Sequence, residues 1–456
     1  MKRPELLAPA GSMQHVRYAF AYGADAVYAG QPRYSLRVRN NEFSKIEALG
    51  EAIDYAHSLG KKLYVVSNIA PHNTKLKTYL KDMRPVIDLK PDALIMSDPG
   101  LIMMIRDEWP DMPIHLSVQA NAVNYKTVEF WQRMGLERVI LSRELSIEEI
   151  EEIRQYCPDM ELEVFVHGAL CIAYSGRCLL SGYMNRRDPN QGTCTNACRW
   201  KYQAHDAVET PEGDVVAVDP IADACVSGVS EQNQEPAPVE DIVLLQEANR
   251  PGEFMPAFED EHGTYIMNSK DLRAVEHVDK LTRIGVHSLK IEGRTKSFFY
   301  VARTAQVYKR AIDLAMSGQD FDPSLLYELD SLANRGYTEG FYRRHKPQAM
   351  QSYDTGHSVS RQQQFVGEVI NFDQNSPYLE INVKNRFEIG DELELMTPTG
   401  NATFVLETLL DKQGVACEVA KGSGHFVRIP RGQLGLDYVD GEFSLVMKTL
   451  PAPLRT

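Results

Sequence analysis

The strongest constraint on this chain is a rhythm in its first 300 residues. A short apolar run, a turn and an amphipathic stretch recur again and again. Strand-like runs fall at 5–8, 25–29, 62–68, 93–97, 114–119, 138–142, 162–167 and 288–291. Helical periodicity, with apolar residues every three or four positions, occupies 13–22, 45–59, 76–89, 100–108, 125–134, 147–156 and 271–285. Strands alternating with helices, mostly at about 30-residue spacing, point to parallel βα units. Eight such strands close a (β/α)8, TIM-like barrel. The rival is an open doubly wound sheet. It would normally carry a glycine-rich phosphate turn after the first strand, and Ala8-Pro9-Ala10-Gly11 is not G-x-G-x-x-G. The expected class is therefore α/β, with a barrel domain over 1–345.

The rhythm breaks once, between the seventh and eighth strands, with an insert at 170–265. It opens with four cysteines, Cys171, Cys178, Cys194 and Cys198, in the pattern C-x6-C-x15-C-x3-C. Loops that follow barrel strands lie on the C-terminal face, where active sites form. Topology thus places these thiols at the functional end. Four thiolates hold iron–sulfur clusters. They also hold zinc, whose structural sites usually show two short-spaced pairs, whereas here only the second pair is short. Spacing alone leaves a cluster, zinc and unligated thiols all open. Cys157 and Cys417 sit in helix-end and strand-like contexts and read as core residues, while Cys225 competes as a fourth ligand.

Past the barrel, 298–317 and 324–333 read as helices and 346–364 as a polar linker. From 365 to 456 the pattern becomes short alternating runs at 366–370, 379–383, 392–396, 403–409 and 426–429. That predicts a small all-β domain, read as a barrel.

The net charge of −14 argues at first against a nucleic-acid partner. All of it resides in one stretch. Residues 206–262 hold 15 acidic residues and a single basic one, Arg250, and the rest of the chain is neutral. The acidic insert does not exclude basic loops elsewhere. No apolar run approaches the roughly 20 residues of a membrane span, and no secretory pattern opens the chain. A cytoplasmic, membrane-free protein is expected. In that compartment a tight cysteine group points to metal or catalysis before disulfides.

Polar side chains recur where strands end. On strand five His115, Ser117 and Gln119 alternate, so they share one side of an extended chain. A barrel lumen usually takes branched apolar residues, so this row reads either as a pocket wall or as a hydrogen-bonded polar layer. Asn68 and Asp98 follow strands three and four. His167 ends strand seven. Lys290, Glu292 and Arg294 alternate out of strand eight; they either seal the barrel top as ion pairs or meet a carboxylate or phosphate, for which Arg is suited. After strand two, Arg33, Arg37 and Arg39 interleave with Tyr34, a composition that binds phosphates and stacks on unpaired bases. A second basic run, Arg186-Arg187 and Arg199-Trp200-Lys201-Tyr202, flanks the cysteines.

These residues carry a resemblance. Glu163-x-Phe165-x-x-Gly168-Ala169-Leu170-Cys171-x4-Gly176-x-Cys178-x-Leu180-Ser181 resembles the signature of the collagenase-like peptidase family of unassigned catalytic type. So do the opening Leu6-Leu7-Ala8-Pro9-Ala10-Gly11, Gly23-Ala24-Asp25-Ala26-Val27-Tyr28, Asn268-Ser269-Lys270-Asp271-Leu272 and Leu289-Lys290-Ile291-Glu292-Gly293-Arg294. The likeness runs over at least 5–345 and extends into the β domain.

Despite the family's label, the resemblance implies oxygen-independent hydroxylation with a 4Fe-4S cluster. One branch makes 5-hydroxyuridine at the tRNA wobble position, with prephenate implicated as hydroxyl donor. On that basis Cys171, Cys178 and Cys194 match three cluster ligands, and Cys198 is preferred to Cys225 as the fourth. The candidate catalytic residues are His167, Glu292, Gln119 and Asp98. The candidate substrate-binding residues are Arg33, Arg37, Arg39, Tyr34, Asn68, His115, Lys290 and Arg294. The expected partners are the tRNA anticodon loop, prephenate and the iron–sulfur assembly machinery. Two rivals stand beside this reading. One is a peptidase, for which the chain offers no H-E-x-x-H helix and no G-x-S-x-G elbow. The other is a non-catalytic iron–sulfur RNA-binding factor.

Overall fold

The computed structural model describes residues 1–170 apart from 32, 37–41 and 44. It then describes the strands 202–209, 215–217, 238–247, 254–260 and 263–264, and 270–450 apart from 294–295, 335, 344–362, 372–375 and 435–441.

The first seven strands are β1 (Glu5–Pro9), β2 (Ala26–Gly30), β3 (Lys62–Ser67), β4 (Ala93–Met96), β5 (Ile114–Leu116), β6 (Arg138–Ile140) and β7 (Glu161–Ala169). Between them run α1 (Met13–Ala21), α2 (Ile46–Ser58), α3 (Asn73–Leu76), α4 (Tyr79–Asp88), α5 (Pro99–Glu108), α6 (Tyr125–Arg133) and α7 (Ile147–Tyr156). Several helices start on a side-chain cap. Ser12, Asp98, Asn124 and Ser146 each accept the backbone N–H three residues on, which satisfies a donor the helix cannot.

After β7 the chain builds a separate antiparallel sheet from β8 (Tyr202–Glu209), β9 (Val215–Ala217), β10 (Pro238–Glu247), β11 (Phe254–Asp260) and β12 (Gly263–Thr264), in the order β12-β11-β10-β8-β9. It returns as β13 (Asp271–Arg273), α8 (Val278–Ile284) and β14 (Ser288–Ile291). β14 pairs in parallel with both β7 and β1, so the eight-stranded ring closes. The expected (β/α)8 barrel is present. Two details differ. Segment 271–285, expected as one helix, begins as β13, which pairs antiparallel with the end of β7. Strand five stops at Leu116, and Val118–Ala120 is a 3-10 turn because the Ser117 hydroxyl accepts the Gln119 N–H.

The long helix α9 (Phe298–Ser317) and α10 (Ser324–Asp330) complete the outer layer, and β15 (Tyr337–Thr338) pairs with β13. Beyond them the chain is all β, as expected. β16 (Gln363–Val369), β17 (Tyr378–Val383), β18 (Phe387–Glu388), β19 (Glu392–Thr397), β20 (Gly400–Val405), β21 (Leu410–Asp411), β22 (Val419–Ala420), β23 (Phe426–Pro430) and β24 (Leu445–Thr449) form a seven-stranded antiparallel sheet and a two-stranded one. They enclose their own core around Ile381, Phe387, Leu393 and Ile429. Among the described residues no helix is long and apolar enough to cross a membrane.

Candidate active site at the barrel mouth

The lumen is charged where a barrel of this kind is usually apolar. Arg138 donates to Glu5 at 2.6 Å, to Glu161 at 2.7 Å and to Glu163 at 3.1 Å. Lys290 donates to the other oxygen of Glu163 at 2.8 Å, and its ammonium lies over the rings of Tyr28 and Phe165. Tyr64 donates to Glu5 at 2.7 Å and packs edge-on against His115. Glu163 and Lys290 are buried, at 0% and 4% exposure. Burial works to raise the Glu163 pKa, but Lys290 and Arg138 hold it below the ordinary carboxylate value. His115 is held well below the usual imidazole range, first by burial and then by Arg138, Lys290 and Lys62. It is neutral at physiological pH, and its Nδ1 has no hydrogen-bond partner among the described residues.

Lys290 and His115 therefore sit inside the barrel, not at its rim. Their surroundings match the polar-layer reading of these residues. Below them, at the N-terminal end, a cavity of about 320 Å³ is lined by Lys2, Lys61, Lys62, Glu161 and His287. It is larger than the recess at the mouth, but it lies on the face that serves stability in this fold.

Two polar sectors occupy the C-terminal mouth. On the β3–β5 side the Asn68 amide donates to Ser117 Oγ at 3.1 Å, and its oxygen accepts the Leu36 N–H at 3.3 Å. Ser97 donates to the Asn68 carbonyl at 3.1 Å. Asp98 caps α5 through one carboxylate oxygen. Together with Gln119 these groups line a recess of about 120 Å³. The 3-10 turn that ends β5 carries Gln119 into this recess, so the expected His115-Ser117-Gln119 strand row is broken at its last member.

On the side between β6 and β14 the main group is Arg143, which the sequence reading missed. Its guanidinium lies 4.0 Å from the Phe165 ring centroid, donates to the Ala169 carbonyl at 2.6 Å and stands 3.8 Å from the Glu292 carboxylate. A lone arginine beside a glutamate after a short strand carries no periodic signal. Only the closed ring brings Arg143 to Glu292.

His167 takes a different environment. A bulge at Val166, where the β7–β14 register shifts, precedes it. Its ring lies 5.4–5.8 Å from those of Tyr300, Tyr308 and Tyr337, and Nδ1 is 3.4 Å from Tyr308 Oη. Nε2 has no hydrogen-bond partner among the described residues. Burial, then Arg273 and Lys296, push its pKa down to about 3. His167 is a buried neutral imidazole in a tyrosine box; its carbonyl accepts the Glu292 N–H at 2.9 Å, but its ring faces the tyrosines.

In the loop after β2, Tyr34 is fully buried, donates to Asp82 at 2.6 Å and meets Tyr79 edge-on. It offers no open ring face for a base. What it does is hold the loop that carries Arg33, which is exposed and pairs with the same Asp82 at 2.6 Å. Arg37, Arg39, Arg294, Cys171, Cys178, Cys194, Cys198, Cys225 and the second basic run (186–187, 199–201) lie outside the described residues. The last described residues before the cysteines, Ala169 and Leu170, lie at the mouth beside Arg143.

A closed βα barrel with a polar mouth, a cysteine-bearing excursion after its seventh strand and an all-β tail defines the class. The chain belongs to peptidase family U32. The description of that family matches residues 11–352, and that of its C-terminal domain matches 361–439. Tested against curated proteins, the chain is 62% identical to tRNA hydroxylation protein P of Escherichia coli, covering 96% of each chain. It is 60% identical to tRNA hydroxylation protein P of Haemophilus influenzae, covering 98% of this chain and 96% of that one. Among solved structures, the U32 peptidase Mk0906 matches 37% of this chain and 70% of its own at 16% identity, with a TM-score of 0.32.

Proposed function

We propose that this chain is a tRNA-modifying enzyme that hydroxylates the wobble uridine at C5 without molecular oxygen. The observation that carries the reading is the 62% identity across 96% of both chains to a tRNA hydroxylation protein. The mouth supports it, because its polar groups are amide, carboxylate and guanidinium, suited to a base and an anionic co-substrate. Prephenate is the proposed hydroxyl donor. Its carboxylates would be met by Arg143, after β6, and by Arg294, two residues beyond Glu292 in the sequence after β14. The anticodon loop would lie over the Arg33, Arg37 and Arg39 loop.

The proposed cofactor is a 4Fe-4S cluster held by Cys171, Cys178, Cys194 and Cys198. Four soft thiolates within one excursion suit that group, and the last described residues before it, Ala169 and Leu170, lie at the mouth. When bound, such a cluster would supply redox capacity. The described residues supply orientation. Arg143 is locked by Phe165 and the Ala169 carbonyl, and Glu292 is set beside it.

Peptidase chemistry finds little support among the described residues. A hydrolase of the usual kind needs a nucleophile with an adjacent base. The nearest such pair is Ser12 Oγ and His15 Nδ1, 2.6 Å apart. Ser12 is buried and caps α1, and His15 Nε2 is bound to the Lys296 carbonyl at 2.8 Å.

Mass spectrometry of tRNA nucleosides from a deletion strain tests the proposal. Loss of 5-hydroxyuridine derivatives, restored by the gene, is expected in a host lacking an oxygen-dependent route. An unchanged level there overturns it. Anaerobic protein that is colourless and holds zinc overturns the cluster assignment alone.

A further inference from the structure

The mouth recess on the β3–β5 side has a composition the proposed function does not by itself explain. Among the described residues its lining holds no cation. Its polar groups are the amides of Asn68 and Gln119, the Ser97 hydroxyl and the Asp98 carboxylate, set among Leu36, Ala70 and Pro99. A dicarboxylate would meet Asp98 with no described lining residue to offset the repulsion. Its volume of about 120 Å³ is far below the roughly 300–1,000 Å³ of a site for a drug-sized molecule. It suits one flat, neutral, hydrogen-bonding ring.

The wall is built before any ligand arrives. Asn68 is held at both ends of its carboxamide, by Ser117 and by the Leu36 N–H. Ser117 also accepts the Gln119 N–H and so sets the turn that presents Gln119. The Gln119 carboxamide, in contrast, makes no hydrogen bond among the described residues, and neither does the second oxygen of Asp98. These two groups together offer a donor, an acceptor and an acceptor-only carboxylate. Uracil's edge presents carbonyl, N–H, carbonyl. A carboxamide pairs with one carbonyl and the N–H in bidentate fashion, as amide side chains pair with base edges elsewhere. Asp98 is left to accept from a ribose hydroxyl.

We propose that this recess receives the extruded pyrimidine of the RNA substrate, with the Gln119 carboxamide reading its edge and Asp98 as the second acceptor. The inference rests on the RNA-modifying reading above. It divides the mouth into a base pocket over β3–β5, lined by amides and the Asp98 carboxylate, and a sector around Arg143 for the anionic co-substrate. An enzyme that works on a base takes the base out of its stack into such a pocket.

Photocrosslinking tests it. The full-length protein is mixed with an RNA hairpin that carries the anticodon stem and loop with 4-thiouridine at the wobble position, then irradiated, digested and mapped by mass spectrometry. The crosslink is expected within 68–70, 97–99 or 117–119. A crosslink confined to 141–144 or 292–297 overturns the pocket and leaves the RNA reading standing. A hairpin that neither binds nor crosslinks removes the RNA reading and the pocket with it. In parallel, Gln119→Ala is compared with wild type for hairpin affinity and for hydroxylation. Affinity within about threefold and hydroxylation lowered by about tenfold or more are expected, since phosphates dominate affinity and the buried edge contact acts on the positioned base. Wild-type hydroxylation by a folded Gln119→Ala protein overturns the assignment.

Discussion

At the scale of single residues, the lumen is held by charges that depend on one another. Glu163 lies between Lys290 and Arg138 with no exposure. Removing one member of a buried pair leaves the other charge in a low-dielectric interior, which typically costs about 3–5 kcal/mol. Glu163→Gln is therefore expected to lower stability by about that amount in urea melts. Pairing it with Lys290→Met should recover part of the loss, because the stranded ammonium is gone. A double variant as unstable as the sum of both single changes would show that the two groups do not act as a pair. His167 makes a second prediction. Its folded pKa, about 3, lies below the ordinary imidazole value of 6.5. The sign follows directly: the unfolded chain takes up a proton below 6.5 that the folded protein refuses. The stability from His167 is complete above pH 6.5 and is lost as pH falls toward 3, by about 1.4 kcal/mol per pH unit. Tyr300 and Tyr308 from α9, Tyr337 from β15, Arg273 from β13 and Lys296 set this environment. Denaturant melts near neutrality and near pH 5 should show a smaller pH slope for His167→Gln than for wild type. An equal slope would mean that His167 takes up its proton in the folded state.

At the scale of elements, what could be read depended on how local the cause was. The eight strands and most helices follow from apolar periodicity along the chain, and the structure has them close to where that periodicity put them. The segment beginning at Asp271 was misread because its apolar spacing suits a helix, while its first residues have a strand partner in the end of β7. That partner is a hundred residues away and leaves no trace in local spacing. The five-stranded sheet within the acidic insert was also missed, since its many charges hid its strand pairing. Of the mouth, Asn68 and Asp98 could be picked out because each follows a strand, and Gln119 because it closed the polar alternation of strand five, though the 3-10 turn takes it off that row. Arg143 was not, because its meaning lies in Phe165 and Glu292 across the ring. Gly168 shows how the motif Phe165-x-x-Gly168 is enforced. Its φ is +105°, and a Cβ there would lie 2.4 Å from the Glu292 carbonyl oxygen and 3.0 Å from Tyr300 Oη. Gly168→Ala should push β7 away from the end of β14, at the point where the chain departs toward the cysteines. A loss of more than about 2 kcal/mol is expected in thermal or urea melts. A neutral change would show that the mouth has slack there.

At the scale of the whole molecule, the β domain is part of the barrel's outer wall. Read alone, α9 has one apolar stripe. In the structure every residue from Phe299 to Tyr308 is buried, including Arg303, Thr304 and Gln306. The second face is covered by the β domain. Arg303, 1% exposed, donates to both oxygens of Glu394 at 3.0 and 2.9 Å, and Gln363 donates to the same carboxylate at 2.7 Å. Gln306 donates to the Thr397 carbonyl at 2.9 Å, and Tyr22 reaches the Met396 carbonyl at 3.0 Å. Met396, Leu445 and Met447 belong to the barrel's own apolar cluster, while Phe298 and Phe299 pack on Phe365. An interface this buried ties the two cores into one cooperative unit. Wild type should therefore unfold in one calorimetric transition. Glu394→Ala leaves Arg303 charged and buried without its bidentate partner, a loss of about 3–5 kcal/mol concentrated at the interface. That variant should unfold in two steps, with the β domain released first and cleaved first by protease. If its single transition only shifts to lower temperature, the apolar contacts alone suffice to couple the domains. Separation has a consequence at the mouth as well. α1 and α9 both begin beside it, at Ser12 and Ser297, and the β domain braces both helices. Releasing the brace should loosen the rim formed by Ser12, His15 and Lys296, which hydrogen exchange of the α1 and α9 amides in Glu394→Ala would register as lost protection ahead of global unfolding.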